Sequence, residues 1–329
     1  MTVVHSASDT FAKQLGIHHP VICGPMYPCS NPELIAAVSN AGAIGVLQPV
    51  SLTYVYGYDY REGIRYIRQL TDKPIGMNAL IEQSSQRYHQ RMVEWVDIAL
   101  EEGVRFFITS LGKPRWVVDK VHACAGIVYH DVTERKWADK AIDCGVDGLI
   151  CVNNRAGGHA GKLSAAELLE ELVDLNLPLV CAGGIATADE YRTALQSGYA
   201  GVQMGTRFIA STECQASDAY KQAIVNASEN DIVLSQRVTG IPVSLINTPY
   251  VQSNGLQASQ FAQWMLKGKH RKHLMRVVYA LMSLWQLKKA ALDKTGDKQY
   301  WQAGKSVAGV SEIMPVRDII HQVIGNKRL

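Results

Sequence analysis

The segment R-A-G-G-H-A-G, from Arg155 to Gly161, combines a histidine with glycines that let a ligand approach the backbone closely. Imidazole is the side chain best suited to proton transfer near neutral pH. The segment follows a strand-like apolar run, Gly148 to Val152, and precedes a helix that Ser164 can cap. It therefore predicts a catalytic acid or base, His159, at the exit of a strand. A glycine turn with a solvated histidine is the alternative interpretation.

Two later strand exits carry small residues that suit an anion. C-A-G-G-I (Cys181 to Ile185) and M-G-T-R-F (Met204 to Phe208) each follow an apolar strand and open a helix. Exposed backbone N–H groups, the positive end of a helix and the Thr206 hydroxyl can hold a phosphate, and glycine turns without a ligand are the alternative. The residues predicted to contact a cofactor here are Ala182, Gly183, Gly184, Met204, Gly205 and Thr206.

Other strand exits suit a flat ligand. In G-P-M-Y, Gly24 to Tyr27, Pro25 fixes the backbone and Met26 cannot titrate. Asn78 offers an amide, and Gly157, Gly158 and His130 complete the predicted cofactor contacts, although His130 can equally be a satisfied strand-end histidine. A phosphorylated planar cofactor follows, and flavin mononucleotide (FMN) fits best. No G-x-G-x-x-G follows the first strand, which disfavours a Rossmann dinucleotide domain.

Eight short apolar runs alternate with amphipathic stretches, which predicts an α/β protein, a (β/α)₈ TIM barrel with a smaller, mainly helical C-terminal cap. A doubly wound open sheet is the alternative. Strands are predicted at 20–24, 44–48, 74–80, 105–110, 127–130, 148–152, 177–182 and 201–204. Helices are predicted at 31–41, 62–70, 90–102, 115–123, 133–144, 165–175, 187–197 and 217–228.

After the barrel the pattern changes, so three regions are predicted: an FMN-binding barrel at 10–230, a cap at 231–300 and a segment at 301–329 that packs back on the barrel. Residues 231–254 look irregular. Residues 258–293 predict one or two long helices whose Met and Trp stripe is typical of core packing. Residues 316–324 predict a final helix.

The bulk composition predicts a globular protein, and the predicted site indicates a small-molecule substrate. Hydrophobic residues make up 47% of the 329 positions, and the net charge of +3 is too mild to indicate nucleic acid. No apolar run approaches the ~18 residues of a membrane span, so a cytoplasmic protein without a membrane partner is expected. Seven cysteines without a C-x-x-C pair predict reduced thiols and no metal site. A homodimer is an open alternative for the assembly.

The chain resembles the nitronate monooxygenase (2-nitropropane dioxygenase) family of FMN-dependent barrels from about residue 10 to its end. The matching motifs are P-V-I-C-G-P-M, N-P-E-L-I-A-A-V-S-N-A-G-A-I-G, K-P-I-G-M-N, R-A-G-G-H-A-G, L-V-C-A-G-G-I-A, V-Q-M-G-T-R-F and Y-W-Q-A-G-K-S-V-A-G. Flavin-dependent enoyl-ACP reductases and NAD(P)H:quinone reductases share most of these motifs.

The resemblance implies that Pro25 and Met26 line the flavin ring, that Asn78 contacts the cofactor, and that His159 is the catalytic histidine. It also implies a phosphate grip formed by Gly183, Gly184, Gly205 and Thr206. In nitronate monooxygenases this histidine is assigned as the base for neutral nitroalkanes, whereas an anionic nitronate passes an electron to FMN directly and O₂ completes the oxidation. In the enoyl reductases NAD(P)H reduces the flavin. A flavin-binding protein without turnover is a third alternative.

Some residues depart from the family pattern. Asn153 and Arg155 replace a glycine and an acidic residue. Arg155 would lower the pKa of His159 and attract an anionic substrate, and an arginine that points to solvent is the alternative. His130 and Asp131 end the fifth strand where some relatives place a lysine. Tyr54, Tyr56, Tyr58 and Tyr60 alternate after the second strand and suggest an aromatic lip, with packing against the cap as the alternative. The predicted substrate contacts are Tyr27, Tyr54, Tyr56 and Arg155.

Overall fold

The computed structural model of the protein describes residues 7–82, 85–259, 262, 264–265, 271–292 and 299–325. Eight parallel strands close into a barrel in which each strand pairs with its sequence neighbours and β1 pairs with β8. The strands are β1 Val21–Cys23, β2 Ile44–Leu47, β3 Ile75–Leu80, β4 Phe106–Ser110, β5 Ile127–Val132, β6 Gly148–Val152, β7 Leu179–Ala182 and β8 Gly201–Met204. The predicted barrel and its eight strands are confirmed, each end within two residues.

Helices follow the strands around the outside of the barrel. They are α2 Pro32–Asn40, α3 Tyr60–Leu70, α4 Gln86–Glu101, α5 Arg115–Ala123, α6 Arg135–Ile142, α7 Ala165–Leu172, α8 Ala188–Ser197, α9 Thr206–Ile209 and α10 Asp218–Asn226. The largest boundary error is at α4, which begins four residues before its predicted start because the Ser85 hydroxyl caps it by accepting a hydrogen bond from the Tyr88 N–H.

Helix α1, Ala7–Leu15, was not predicted, and it packs at the amino-terminal end of the barrel. Its residues Phe11, Ala12 and Leu15 join the cluster of side chains that fills the barrel interior. The Phe11 ring lies 5.8 Å from the Tyr129 ring of β5, centroid to centroid. Because this end of the barrel is covered, the open mouth is at the carboxyl ends of the strands.

The region after the barrel begins with an antiparallel hairpin, β9 Ile232–Ser235 and β10 Val243–Ile246. These two strands within 231–254 were not predicted, because two four-residue apolar runs on either side of a Gly-Ile-Pro turn are too short to show a period. Helices α11 Pro249–Asn254, α12 Arg271–Leu292 and α13 Val316–Ile324 follow. The final helix is confirmed at its predicted residues.

Parts of the predicted cap helix, at 260–261, 263, 266–270 and 293, lie outside the described residues. Helix α13 buries Val316, Ile319, Ile320 and Val323 and packs against α2 and α8 of the barrel. The seven cysteines are free thiols, of which only Cys124 is exposed. Within the described ranges, no helix combines the length and apolar character needed to cross a membrane.

Candidate active site

The exits of β6 and β7 touch so closely that only glycine fits between them. A Cβ atom added to Gly183 would lie 2.5 Å from Asn153 Oδ1 and 2.6 Å from the Ala156 nitrogen. A Cβ atom added to Gly184 would lie 2.5 Å from Arg155 Nε. Both glycines also have positive φ angles, +114° and +81°, which other residues rarely adopt. The glycines of the A-G-G motif therefore let the loop after β7 pack directly against the loop after β6.

Asn153, which departs from the family pattern, fastens these two loops together. Its side chain is fully buried, and its amide nitrogen donates a hydrogen bond of 2.9 Å to the Gly183 carbonyl oxygen. Its Oδ1 atom accepts a 2.8 Å bond from the Arg155 N–H. Burial of an amide is tolerated because both ends are paired. Asn153 thus shapes the loop that carries His159.

A segment near the carboxyl terminus closes the site from a third side. The Gly304 N–H donates to Thr206 Oγ1 at 2.9 Å, and the Lys305 N–H donates to the Arg155 carbonyl at 2.9 Å. A Cβ atom on Gly304 would lie 2.6 Å from both the Arg155 oxygen and the Gly157 nitrogen. Gly304 therefore joins the β6 and β8 exits. No role was predicted for Gly304, and the motif Y-W-Q-A-G-K-S-V-A-G was the one sequence signal that included it.

Unpaired backbone donors collect at the β7 and β8 exits. In the described part of the chain, no acceptor contacts the N–H groups of Gly183, Gly184 and Gly205. Thr206 accepts its bond from Gly304, so its hydroxyl hydrogen remains available. Such a group of N–H donors and a hydroxyl can donate hydrogen bonds to the oxygens of a phosphate. The site therefore fits the predicted phosphate grip.

The beginning of helix α8 contributes less than expected. The Glu190 carboxylate accepts hydrogen bonds from the N–H groups of Ala186 and Thr187, at 2.9 and 3.0 Å. This capping box already satisfies the donors and balances the positive end of the helix. The loop amides of Gly183 and Gly184, which precede the helix, are what remains for an anion.

The β1 exit lies beside this cradle. A Cβ atom on Gly205 would lie 3.3 Å from Met26 Sδ, so the half-buried Met26 packs directly on the β8 exit. A Cβ atom on Gly24 would lie 2.9 Å from the Gln203 side chain. The Met26 N–H donates to Ser30 Oγ at 2.8 Å, which fixes the turn. Pro25 is half-buried next to Met26, so the predicted apolar wall adjoins the predicted phosphate grip.

His159 lies on the β6 exit with its side chain exposed in the mouth. The preceding Gly158 has φ of +66°, and its carbonyl accepts a 2.8 Å bond from the N–H of Ser244 in β10. No hydrogen-bond partner for the imidazole occurs among the described residues. The surrounding loops remove part of its hydration, and this desolvation lowers the pKa of His159 below its ordinary value. The lowered pKa favours the neutral form of the ring, which can accept a proton.

Arg155 is not the cause of this lowered pKa. Its guanidinium forms a two-point ion pair with Glu229, in which Nη1 lies 3.0 Å from Oε2. Arg155 in turn lowers the pKa of the Glu229 carboxyl. The half-buried guanidinium also packs over Gly184. The residue predicted to attract an anionic substrate therefore has its charge balanced within the protein.

The interior face of the barrel ends in a layer of residues that forms the floor of the mouth. Strand alternation places Asn78, Asp131, Val152, Ala182 and Gln203 on this face, above the apolar interior cluster. Asn78 donates to the Ile108 carbonyl at 3.2 Å. Asp131 Oδ1 and Gln203 Oε1 are buried and have no hydrogen-bond partner within the described ranges.

His130 lies on the opposite face of β5. It is buried, its Nδ1 atom is 2.8 Å from Thr109 Oγ1, and burial lowers its pKa to about 4. Successive residues of a strand point to opposite faces, so the strand that directs Asp131 into the barrel directs His130 toward the surrounding helices. This placement separates His130 from the other residues predicted to contact a cofactor.

The tyrosines after β2 have different surroundings rather than one shared face: Tyr54 lies in the π-helical turn Ser51–Val55, whereas Tyr60 begins α3. Tyr60 is buried, and Tyr58 stacks on Tyr66. The Tyr56 hydroxyl donates to the Pro28 carbonyl at 2.8 Å. Tyr54 is exposed, with the Lys288 ammonium 4.7 Å from its ring centre.

Two contacts join the mouth to the cap helix α12. The Tyr27 hydroxyl donates a 2.6 Å hydrogen bond to the Leu284 carbonyl. Lys288 donates a 2.8 Å bond to the Tyr54 carbonyl. The structure thus places Tyr27 and Tyr54 between the barrel and α12, whereas the loops that carry Gly183, Gly184, Gly205, Met26 and His159 lie together at the carboxyl ends of the strands. Across the described ranges, no group of three or more His, Cys, Asp or Glu side chains is placed to hold a metal ion.

Comparisons with known proteins agree with this arrangement. A family model described as nitronate monooxygenase matches residues 8–326. A Rhodococcus jostii (strain RHA1) protein named (3aS,4S,5R,7aS)-5-hydroxy-7a-methyl-1-oxo-octahydro-1H-indene-4-carboxyl-CoA dehydrogenase is 30% identical over 240 residues, which are 73% of this chain and 65% of that relative. A probable nitronate monooxygenase of Staphylococcus aureus (strain Newman) is 28% identical over 287 residues, 74% of this chain and 79% of the relative.

Two solved structures cover nearly the whole chain. FabK from Thermotoga maritima is 27% identical and superimposes with a TM-score of 0.79 over 98% of this chain and 96% of its own. Nitroalkane oxidase from Streptomyces ansochromogenes superimposes with a TM-score of 0.76 over 96% of this chain and 97% of its own. At 20% identity, the second likeness concerns the fold alone.

Proposed function

The chain belongs to the nitronate monooxygenase family, and from that premise we propose that it is an FMN-dependent oxidoreductase that oxidises alkyl nitronates, and nitroalkanes after deprotonation, with O₂. The observation that carries the proposal is the juxtaposition of unpaired N–H donors at Gly183, Gly184 and Gly205 with the unpaired imidazole of His159 on the touching loop. The donors suit the phosphate of FMN, and the imidazole suits a proton transfer beside it.

The residues around the cavity fit a bound FMN. The amides of Gly183, Gly184 and Gly205 and the Thr206 hydroxyl would hold the phosphate, and Pro25 and Met26 would lie against the ring. When bound, FMN supplies the electron acceptor for the substrate. The chain's own part is to orient the substrate and to move a proton. A neutral His159 can take the proton from the carbon next to a nitro group, whereas a nitronate has already lost it.

Anaerobic stopped-flow reduction of the reconstituted protein tests the proposal. The apoprotein is loaded with FMN and mixed in parallel with propionate 3-nitronate, nitroethane, NADH and NADPH while the flavin absorbance is followed. We expect the nitronate to bleach the flavin in both the wild type and His159→Gln, which is the matched control. The nitroalkane should bleach the flavin in the wild type alone. Failure of the protein to bind FMN, or binding without reduction by any of the four compounds, would overturn the proposal.

A reductase or dehydrogenase of acyl thioesters is the second candidate. It is supported by the R. jostii relative, whose name is that of a carboxyl-CoA dehydrogenase, and by the likeness to FabK over almost the whole chain. In that case NADH or NADPH would act as the reductant. Rapid bleaching by NADH or NADPH, with none by the nitronate, would favour this candidate over the first.

A further inference from the structure

Asp131 is a half-buried residue with one buried carboxyl oxygen, and the proposed reaction does not use it. It lies two residues after Tyr129 in β5 and so shares the inward face of that strand. Tyr129 belongs to the apolar interior of the barrel, and Asp131 lies nearer the carboxyl end of the strand. Its position is therefore the floor of the mouth, beneath the loops that carry His159 and the phosphate cradle. The adjoining strand β6 contributes the apolar Ile150 as its register partner.

The Asp131 carboxyl has no partner in the described part of the chain. Its Oδ1 atom is buried without a hydrogen bond, and no cation lies close enough to affect its titration. The nearby titratable groups are Cys151 on β6, whose pKa burial raises so that it stays a thiol, and His130, which faces the other side of β5. Burial alone raises the pKa of Asp131 to about 7.

A second unpaired acceptor faces the same space. Gln203 on β8 has its amide over Gly24, and its Oε1 atom is buried without a partner within the described ranges. Buried polar atoms are rarely left without partners, because desolvation then goes uncompensated. Two such atoms on the inward face, near the carboxyl ends of β5 and β8, point to a bound molecule whose own donors and acceptors satisfy them. The pyrimidine edge of a flavin, with carbonyl oxygens on either side of an N–H group, has this character.

We propose that Asp131 is protonated when FMN is bound and donates a hydrogen bond to a carbonyl oxygen of the flavin ring, so that FMN binding above neutral pH takes up one proton. The inference rests on the proposed function, since it requires FMN in this mouth. Asp131 is then a positioning residue for the ring. It keeps its proton through the reaction, because a carboxylate there would face a carbonyl oxygen without a donor between them.

Isothermal titration calorimetry of the full-length apoprotein tests the proton uptake. FMN is titrated at pH 8 in HEPES and in Tris, whose different heats of ionisation reveal the number of protons exchanged. We expect uptake approaching one proton by the wild type and none by Asp131→Asn, which still binds FMN. The wild-type Kd should rise up to about tenfold per pH unit between pH 7.5 and 9, and the variant Kd should stay flat.

Two controls assign the proton. The second ionisation of the FMN phosphate lies near pH 6 and is complete in this range, and riboflavin, which has no phosphate, should show the same uptake. His159→Gln should also keep it, because His159 is already neutral. FMN binding by the wild type without proton uptake, or uptake retained by Asp131→Asn, would overturn the inference and leave the proposed function standing. If the wild type binds neither FMN nor riboflavin, both fail.

Discussion

The unpaired carboxyl of Asp131 should make the apoprotein less stable as the pH rises, and the size of the effect can be worked out. Burial raises its pKa from 3.8 to about 7 in the folded state. At ~1.4 kcal/mol per pKa unit, this corresponds to roughly 4 kcal/mol of unfolding free energy. The value is an upper limit, because water that enters the open mouth solvates the carboxylate.

The sign follows from where the proton is held. Below pH 4 the carboxyl is protonated in both the folded and the unfolded chain, so its contribution to stability is fully present. Between pH 4 and 7 the unfolded chain has released the proton that the folded chain still holds, so stability falls as the pH rises. Above pH 7 the loss is complete and constant. Asparagine, which has a similar size and cannot ionise, should remove this dependence.

Urea denaturation of the apoprotein, followed by the fluorescence of its six tryptophans, measures the effect. We expect the difference in unfolding free energy, Asp131→Asn minus wild type, to increase by roughly 2–3 kcal/mol between pH 5 and 7. Above pH 7 this difference should stay constant. The difference between the two proteins cancels the titration of all other groups. Asp119→Asn is the matched control, since Asp119 is exposed on α5. A difference that does not change with pH would refute the reasoning.

Three further substitutions probe the mouth. His159→Ala should bind FMN normally and lose about 10²- to 10⁴-fold in nitroalkane turnover but much less with a nitronate, measured as oxygen consumption. Gly304→Ala should weaken FMN binding at least about tenfold and lower the melting temperature, because its Cβ atom would meet two backbone atoms at 2.6 Å. Tyr27→Phe removes the bond to Leu284, worth about 1 kcal/mol, and should speed amide hydrogen exchange in α12.

The barrel could be predicted from the sequence because its strands are largely apolar on both faces and each is followed by an amphipathic stretch of nearly constant length. Loops that leave neighbouring parallel strands must lie side by side, so Gly183, Gly205 and His159 could be brought together without coordinates. The same logic does not apply to Gly304. Its contacts with Arg155 and Thr206 join residues far apart in the chain, and no local period reports them.

Two errors of emphasis have a common physical origin. His130 was predicted as a cofactor contact, although Tyr129 in the barrel interior already fixes Asp131 as the residue that faces inward. Tyr54, Tyr56, Tyr58 and Tyr60 were grouped by a period of two, which holds only in an extended chain, whereas Tyr54 lies in a π-helical turn and Tyr60 begins a helix. Side-chain direction depends on the local backbone, which residue type does not reveal.

The charges around the mouth divide the proton chemistry between two groups. Glu229 balances Arg155, and desolvation lowers the pKa of His159. The loop N–H groups offer an anion partial charges and no full positive charge. His159 on the exposed loop can exchange its proton with solvent after each turnover. The Oδ1 atom of Asp131 is buried beneath it, so a proton held there stays while a ligand covers the carboxyl group. The exchangeable proton on His159 and the retained proton on Asp131 therefore lie at different depths of the same barrel mouth.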